Sequence, residues 1–494
     1  MRVATTIVLS LLLTLSAAAQ SVDTKAVDKL MLETLRAWKA PGGAIAIVKD
    51  DKVVYVKGYG LKELAGTEPV TADTLFQIAS TSKAFTSTAM AMLVDDQKVA
   101  WDDPVRKHIA YFRLADPCAE SQVTLRDIVS HRTGLSRHDE LWDNSPLSRE
   151  EVVRSIGSVK LSKPFRSAYQ YQNIMFIAAG EAVSAASGMS WDDFVRSRIF
   201  TPLGMTDTRI SDLEWRTSEH ASGYRYDRRT DRVLPQKPID TTTIGAGGAI
   251  KSSAKDMANW IRFHLAGGMF DGKRLVSAES LGETKAPQTV IRVEGTTRDS
   301  NPETNLEAYG MGWTVQDYRG ELLVSHGGAL NGFRTHVDLL PKQKAGFVVL
   351  VNVGRGYATV ALRNSLADML LGNKPVRDWN AYYLALDERL DREADTKRAE
   401  REAKRRPDTK PSRELAAYAG TYENTGYGKA AVAVENNQLV LRWSRLALPL
   451  THFNYDTFAA FSEDDDVDEQ VEFDLDAEGE VRRLKVFGEE FVRK

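Results

Sequence analysis

The placing of the strand-like runs most constrains the fold of this chain. Ala44-Ile-Ala-Ile-Val48 and Val53-Val-Tyr-Val56 flank Lys49-Asp50-Asp51-Lys52, which is a β-hairpin pattern. Four further runs follow much later, at 312–316, 321–325, 333–340 and 346–352. Between them, from about 96 to 235, the chain reads as helices and loops. Taken as one sheet, the runs predict five or six mainly antiparallel strands, with a helical block inserted in the middle and helices on both faces. The fold class is α/β.

The helical segments are marked by periodicity and by their ends. Val27, Leu30, Met31, Leu35 and Trp38 share one face over 24–39, and Pro41-Gly-Gly breaks that helix. Further helices are expected from Ser80, after Trp101-Asp-Asp-Pro104, over 123–129 with Thr124 near its cap, over 174–186 and over 191–200. Gly245-Ala-Gly-Gly248 reads as a bend, followed by a helix through Trp260 and Leu265 and another over 358–371. Residues 378–406 carry charge on nearly every face, with favourable i,i+4 pairs such as Glu388 with Arg392. Interleaved acids argue against a basic binding arm there, so the segment reads as an exposed connecting helix. After a linker at 407–412, short strands at 429–434, 439–443, 470–475 and 481–487, with Asn436-Asn437 in a turn, predict a small all-β domain of barrel type. The acidic stretch 463–469 lacks the Gly and Glu positions of an EF-hand and reads as a solvated loop.

At 494 residues the chain is too long for one core. The expected division is a leader at 1–19, a main domain at 20–372 with its helical insertion, a charged helical linker at 373–412 and an all-β domain at 413–494. Arg2, the apolar run 3–15 and Ala17-Ala18-Ala19 form an export signal cut before Gln20, with an uncleaved N-terminal anchor as the alternative. The run is shorter than the roughly 20 residues of a membrane span, and no later stretch reads as one. The chain is therefore expected in the periplasm or outside the cell. Cys118 is the only cysteine, so no intrachain disulfide forms, and its surroundings show no activating feature. A net charge of −3 gives no reason to propose nucleic acid as a partner.

Three short motifs carry chemistry. In Ser80-Thr-Ser-Lys83, residues i and i+3 share a helix face, so hydroxyl and ammonium point into one space. Free N–H groups at a helix start suit a developing oxyanion, and a desolvated Lys loses proton affinity and can act as a base. Tyr169-Gln-Tyr171-Gln-Asn173 places a phenol and an amide just before the apolar helix at 174. His326-Gly327-Gly328 ends a strand, and glycines there let a substrate backbone approach an exposed edge. Each motif alone has a bland alternative: a serine cap beside an exposed lysine, a packed tyrosine, a structural histidine. A metal centre on His131, His138 and Asp139 finds no support, because the His-Glu-x-x-His pattern and the usual zinc spacings are absent.

In this order the motifs resemble those of the penicillin-recognising serine hydrolases, the superfamily of class C β-lactamases, D-alanyl-D-alanine peptidases and esterases. Pro41-Gly-Gly-Ala-Ile-Ala-Ile-Val, Val54-Tyr-Val-Lys-Gly-Tyr-Gly60, Leu125-Arg-Asp-Ile-Val-Ser-His-Arg-Thr-Gly-Leu135 and Gly245-Ala-Gly-Gly248 extend the resemblance over about 40–372. It implies a β-lactamase/transpeptidase-like antiparallel sheet flanked by helices, and an acyl-enzyme on Ser80. Lys83 and Tyr171 would handle the proton as a coupled pair. Asn173 would hold substrate amides, and the N–H groups of Ser80 and Ala329 would form the oxyanion hole. His326, with Gly327 and Gly328 beside it, would stand where true β-lactamases carry Lys, which leaves less positive charge for a β-lactam carboxylate. Tyr418-Ala-Gly-Thr-Tyr422 and Phe453-Asn-Tyr-Asp-Thr-Phe458 resemble the lipocalin-like module attached to some relatives. The implied substrate is a peptide with D-residues or a small ester, with no metal or organic cofactor. A β-lactamase and a non-catalytic penicillin-binding-like sensor of cell-wall peptides stay open as alternatives, as does assembly into a homo-oligomer.

Overall fold

The computed structural model describes residues 22–143, 145–374, 376–462 and 467–494. The expected leader and most of the acidic stretch at 463–469 lie outside the described residues. Eight strands form the main sheet: β1 (Gly42–Lys49), β2 (Lys52–Gly60), β3 (Thr289–Ile291), β4 (Glu307–Tyr309), β5 (Thr314–Tyr318), β6 (Glu321–Leu330), β7 (Phe333–Leu340) and β8 (Ala345–Val351), in the order β2-β1-β8-β7-β6-β5-β4-β3. Every neighbouring pair is antiparallel. The sheet is thus larger than the five or six strands expected. β3 and β4 are three residues each, and pairing of β4 with β5 and of β3 with β4, rather than their own apolar pattern, makes them strands.

β1 and β8 each have a strand on both sides and are buried along nearly their whole length. Alternation assigns their side chains to two cores. Ala44, Ala46, Val48, Val348 and Leu350 belong to one, and Ile45, Ile47, Phe347, Val349 and Val351 to the other. The first core is shared with helices α1 (Ser82–Asp95), α2 (Ile174–Ser187) and α3 (Ala254–Leu265). The second is covered by the helices Thr24–Ala37, Tyr357–Leu371 and the start of Trp379–Ala403. Burial of each Leu, Ile or Val side chain in these layers stabilises by roughly 1.5–3 kcal/mol. α1 is buried on all sides from Ser82 to Leu93, as a helix threading the middle of a domain must be.

The C-terminal part is a closed eight-stranded antiparallel barrel. The pairing of Gly420–Asn424 with Glu489–Arg493 closes it. Asn436 and Asn437 both take positive φ in its first tight hairpin, the signature of a two-residue turn matched to strand twist. Among the described residues, no helix is long and apolar enough to cross a membrane. Cys118 is exposed.

Candidate active site

Ser80 sits not within α1 but in the tight turn Ala79–Thr81 that leads into it. Ala79 has φ +50°, a conformation that costs a residue with a side chain energy and is common at functional turns. β6 runs against this turn. A Cβ added to Gly328 would come 2.1 Å from the Ile78 carbonyl oxygen, whereas one on Gly327 would meet only the His336 ring at 3.4 Å. The glycine at 328 therefore makes room for the protein's own turn that carries Ser80, a different reason from the substrate approach expected of it.

Lys83, one turn into α1, is fully buried. Its Nζ lies 3.0 Å from Ser80 Oγ, 2.7 Å from Asn173 Oδ1 and 2.8 Å from the Gly247 carbonyl. Asn173, at the start of α2, donates its Nδ2 to Asp139 Oδ1 at 2.8 Å, which fixes its amide with Oδ1 towards Lys83. Burial depresses the proton affinity of Lys83 well below its ordinary value, the Arg137 charge adds to this, and Asp139 partly opposes it. A neutral amine has two N–H groups and one lone pair. Asn173 Oδ1 and the Gly247 carbonyl can only accept, so once Lys83 gives up a proton its lone pair would be left for the Ser80 hydroxyl. Tyr171 is hydrogen-bonded to Ser80, and burial raises its phenol pKa, so the phenol keeps its proton. The Lys83 ammonium position is 4.8 Å from the Tyr171 ring centroid.

His326 is buried and faces Tyr171 at 6.3 Å between rings. Its Nδ1 lies 2.7 Å from the Gly327 carbonyl, so Nδ1 donates and Nε2 accepts the Tyr309 hydroxyl at 2.9 Å. Burial first, and then nearby Lys83, push its pKa down to about 3 against the opposing pull of the Gly327 carbonyl. The ring is uncharged at neutral pH. Ser80, Tyr171, Asn173, His326 and residues 327–329 all line one cleft of about 860 Å³. Among the described residues no group of three His, Cys, Asp or Glu side chains is placed to hold a metal ion.

The sequence reading missed the loop that roofs this cleft. Arg137, Asp139 and Trp142 line it. Asp139 binds Arg137 at 2.6 Å and accepts the Trp142 indole N–H at 2.7 Å, so one carboxylate ties the roof to Asn173. His138, in this loop at φ +45°, puts its Nδ1 2.7 Å from the hydroxyl of Tyr427, which belongs to the C-terminal barrel. No local motif announces these contacts; only the density of charged and aromatic residues at 137–143 hinted at them.

A family model described as Beta-lactamase matches residues 27–369, more than half of the chain. The chain belongs to the Beta-lactamase family. A second model, a domain of unknown function (DUF3471), covers 404–493 and hence the barrel. The unguisins hydrolase ungD' of Aspergillus campestris is 32% identical over 437 residues, spanning 84% of this chain and 78% of that protein. Among solved structures, the octameric penicillin-binding protein homologue from Pyrococcus abyssi superposes with a TM-score of 0.64 at 23% identity, covering 95% of this chain and all of the other. The D-amino acid amidase from Ochrobactrum anthropi gives 0.57 at 22% identity, over 71% of this chain and 97% of its own. These likenesses establish a Beta-lactamase-family fold with hydrolases among its relatives.

Proposed function

We propose that this chain is an exported serine hydrolase that forms an acyl-enzyme on Ser80 and cleaves an amide or small ester bond, with peptides containing D-residues as the main substrate class. The observation that carries this reading is the hydrogen-bond pattern at Ser80 Oγ, which lies 3.0 Å from Lys83 Nζ and is also bonded to the Tyr171 phenol. In the first step Ser80 Oγ attacks the substrate carbonyl carbon and its proton passes to Lys83 Nζ. The resulting oxyanion lies against the N–H groups of Ser80 and Ala329, a class of donor whose loss costs about 10²–10³ in rate. Collapse breaks the bond to the leaving group, which takes a proton from Tyr171, and Lys83 reprotonates the phenol. Water then attacks the ester on Ser80 and repeats the sequence with the acid as product. The leader-like N-terminus supports export. The D-amino acid amidase and the unguisins hydrolase among the relatives favour amide substrates.

The neutral His326 gives a β-lactam carboxylate no cationic partner where β-lactamases carry Lys, so nitrocefin is expected to turn over slowly. Turnover of p-nitrophenyl acetate and butyrate, D-Ala and L-Ala p-nitroanilides and nitrocefin, by wild type and Ser80→Ala, tests the reading. Ser80-dependent release from the D-anilide is the expected result. Full activity in Ser80→Ala overturns it.

A further inference from the structure

His131 takes no part in the proton route above, yet it is fully buried beside it. It follows the short helix Leu125–Ile128 and holds φ +57°, a strained conformation for a residue with a side chain. Two hydrogen bonds accompany that conformation. The His131 carbonyl accepts the Gln170 N–H at 2.9 Å, and its ring Nδ1 accepts the Gln172 N–H at 3.1 Å. Gln170 and Gln172 are the two neighbours of Tyr171, so one residue holds the backbone N–H of each residue that flanks the phenol: that of Gln172, in the peptide group next to Tyr171, and that of Gln170, one peptide group further back. The imidazole also packs 4.4 Å from the Tyr171 ring centroid and 4.4 Å from that of Tyr309.

The chemistry of the ring follows from these contacts. Because Nδ1 accepts a peptide N–H, the proton of the neutral imidazole sits on Nε2. That atom is buried and has no hydrogen-bond partner. With one nitrogen occupied by a backbone donor and the other enclosed by aromatic rings, His131 has no route for exchanging a proton with substrate. Its free energy of strain and its unpaired N–H are spent on geometry alone.

We propose that His131 is the positioning residue for Tyr171: it holds the N–H of both neighbouring residues and packs against one side of the ring, so that the phenol oxygen stays on Ser80 Oγ. The proposal rests on the hydrolase reading in which Tyr171 serves the Ser80 proton.

Three variants and one spectrum test it. Glycine keeps the positive φ and removes the acceptor and the ring. Asparagine keeps an acceptor at the Nδ1 position and tolerates positive φ better than most residues. His131→Gly is expected to lower kcat by about 10–100-fold with KM changed less than about 3-fold, since a displacement near 1 Å costs about 10²-fold. His131→Asn is expected to recover most of that loss, and His131→Ala to recover none. Full kcat in His131→Gly, or an Asn variant no better than Gly at equal folded fraction, overturns the proposal. Imidazole ¹⁵N shifts of the wild type decide the clamp even if glycine at 131 prevents folding: an unprotonated Nδ1 with a protonated Nε2 is expected, and the reverse tautomer overturns it. Ser80→Ala and Tyr171→Phe run alongside. If either keeps full turnover the hydrolase reading fails; if both are inactive, a fast His131→Gly removes the positioning role alone.

Discussion

Replacing Gly328 by Ala tests how tightly β6 is fitted to the turn that carries Ser80. The added methyl carbon would lie 2.1 Å from the Ile78 carbonyl oxygen, against the 3.0 Å below which real contacts essentially do not occur. Strand or turn must yield by about 0.9 Å, and misplacement of a reacting group by about 1 Å costs about 10²-fold in rate. The turn is the easier to displace but the more costly, because the Ile78 carbonyl also accepts the Thr81 N–H at 3.2 Å and its hydroxyl at 2.9 Å, with Ser80 between them. Gly327→Ala is the matched control. Its methyl would meet the His336 ring at 3.4 Å, an ordinary contact. The assay is kcat/KM on a p-nitrophenyl ester, with the rate of Ser80 labelling by a fluorophosphonate and the melting temperature measured on the same samples. Gly328→Ala is expected to lose about 100-fold in both rates, and Gly327→Ala less than about 3-fold. Equal rates in the two variants would refute the argument that the strand–turn contact places Ser80.

Three further outcomes follow from other parts of the molecule. Burial lowers the Lys285 pKa to about 8, while the unfolded chain holds that proton to its ordinary value of 10.5. The unfolded state therefore binds more protons between these limits, and stability is expected to rise with pH across that window; Lys285→Met, followed by denaturant titration at pH 7 to 10, should remove the rise. Asp127 is completely buried and accepts Arg132 Nε at 2.5 Å and Arg166 Nη2 at 2.7 Å. Asp127→Ala should cost about 2–4 kcal/mol by removing the carboxylate shared by the two guanidiniums, each of which keeps only a backbone carbonyl, read from the urea midpoint, and a loss under 1 kcal/mol would contradict it. Tyr427→Phe deletes the 2.7 Å bond to His138 at a cost of about 1 kcal/mol. It should raise KM a few-fold with kcat unchanged, because the cleft roof loosens while the bonds at Ser80 stay; an unchanged KM would count against the coupling.

The elements that the sequence made legible are those whose apolar pattern is set by one buried face. The helix Ile174–Ser187, the hairpin of β1 and β2 and the charged helix Trp379–Ala403 appear close to where periodicity put them. β6 was cut short at Ser325 because two glycines weaken a strand, yet pairing with β7 carries it to Leu330. The barrel strand Leu446–Asn454, which contains Pro449, was not recognised, and its neighbours on both sides hold it in the barrel. At the site, Ser80, Lys83, Tyr171 and Asn173 could be named because their motifs, taken in order, resemble those of the penicillin-recognising serine hydrolases, and each lies next to a helix start. Asp139, Tyr427 and His131 could not. Their partners lie 34, 289 and 41 residues away, and no local pattern encodes contacts at such separations.

The bond between His138 and Tyr427 also bears on how this architecture can diversify. The groups that meet Ser80 Oγ all belong to the sheet-and-helix unit, whereas the roof above them is held partly by the barrel. Under the proposed hydrolase reading, a change at the barrel end of this bond would reshape the mouth of the cleft while leaving Ser80, Lys83 and Tyr171, which lie on another stretch of the polypeptide, as they are.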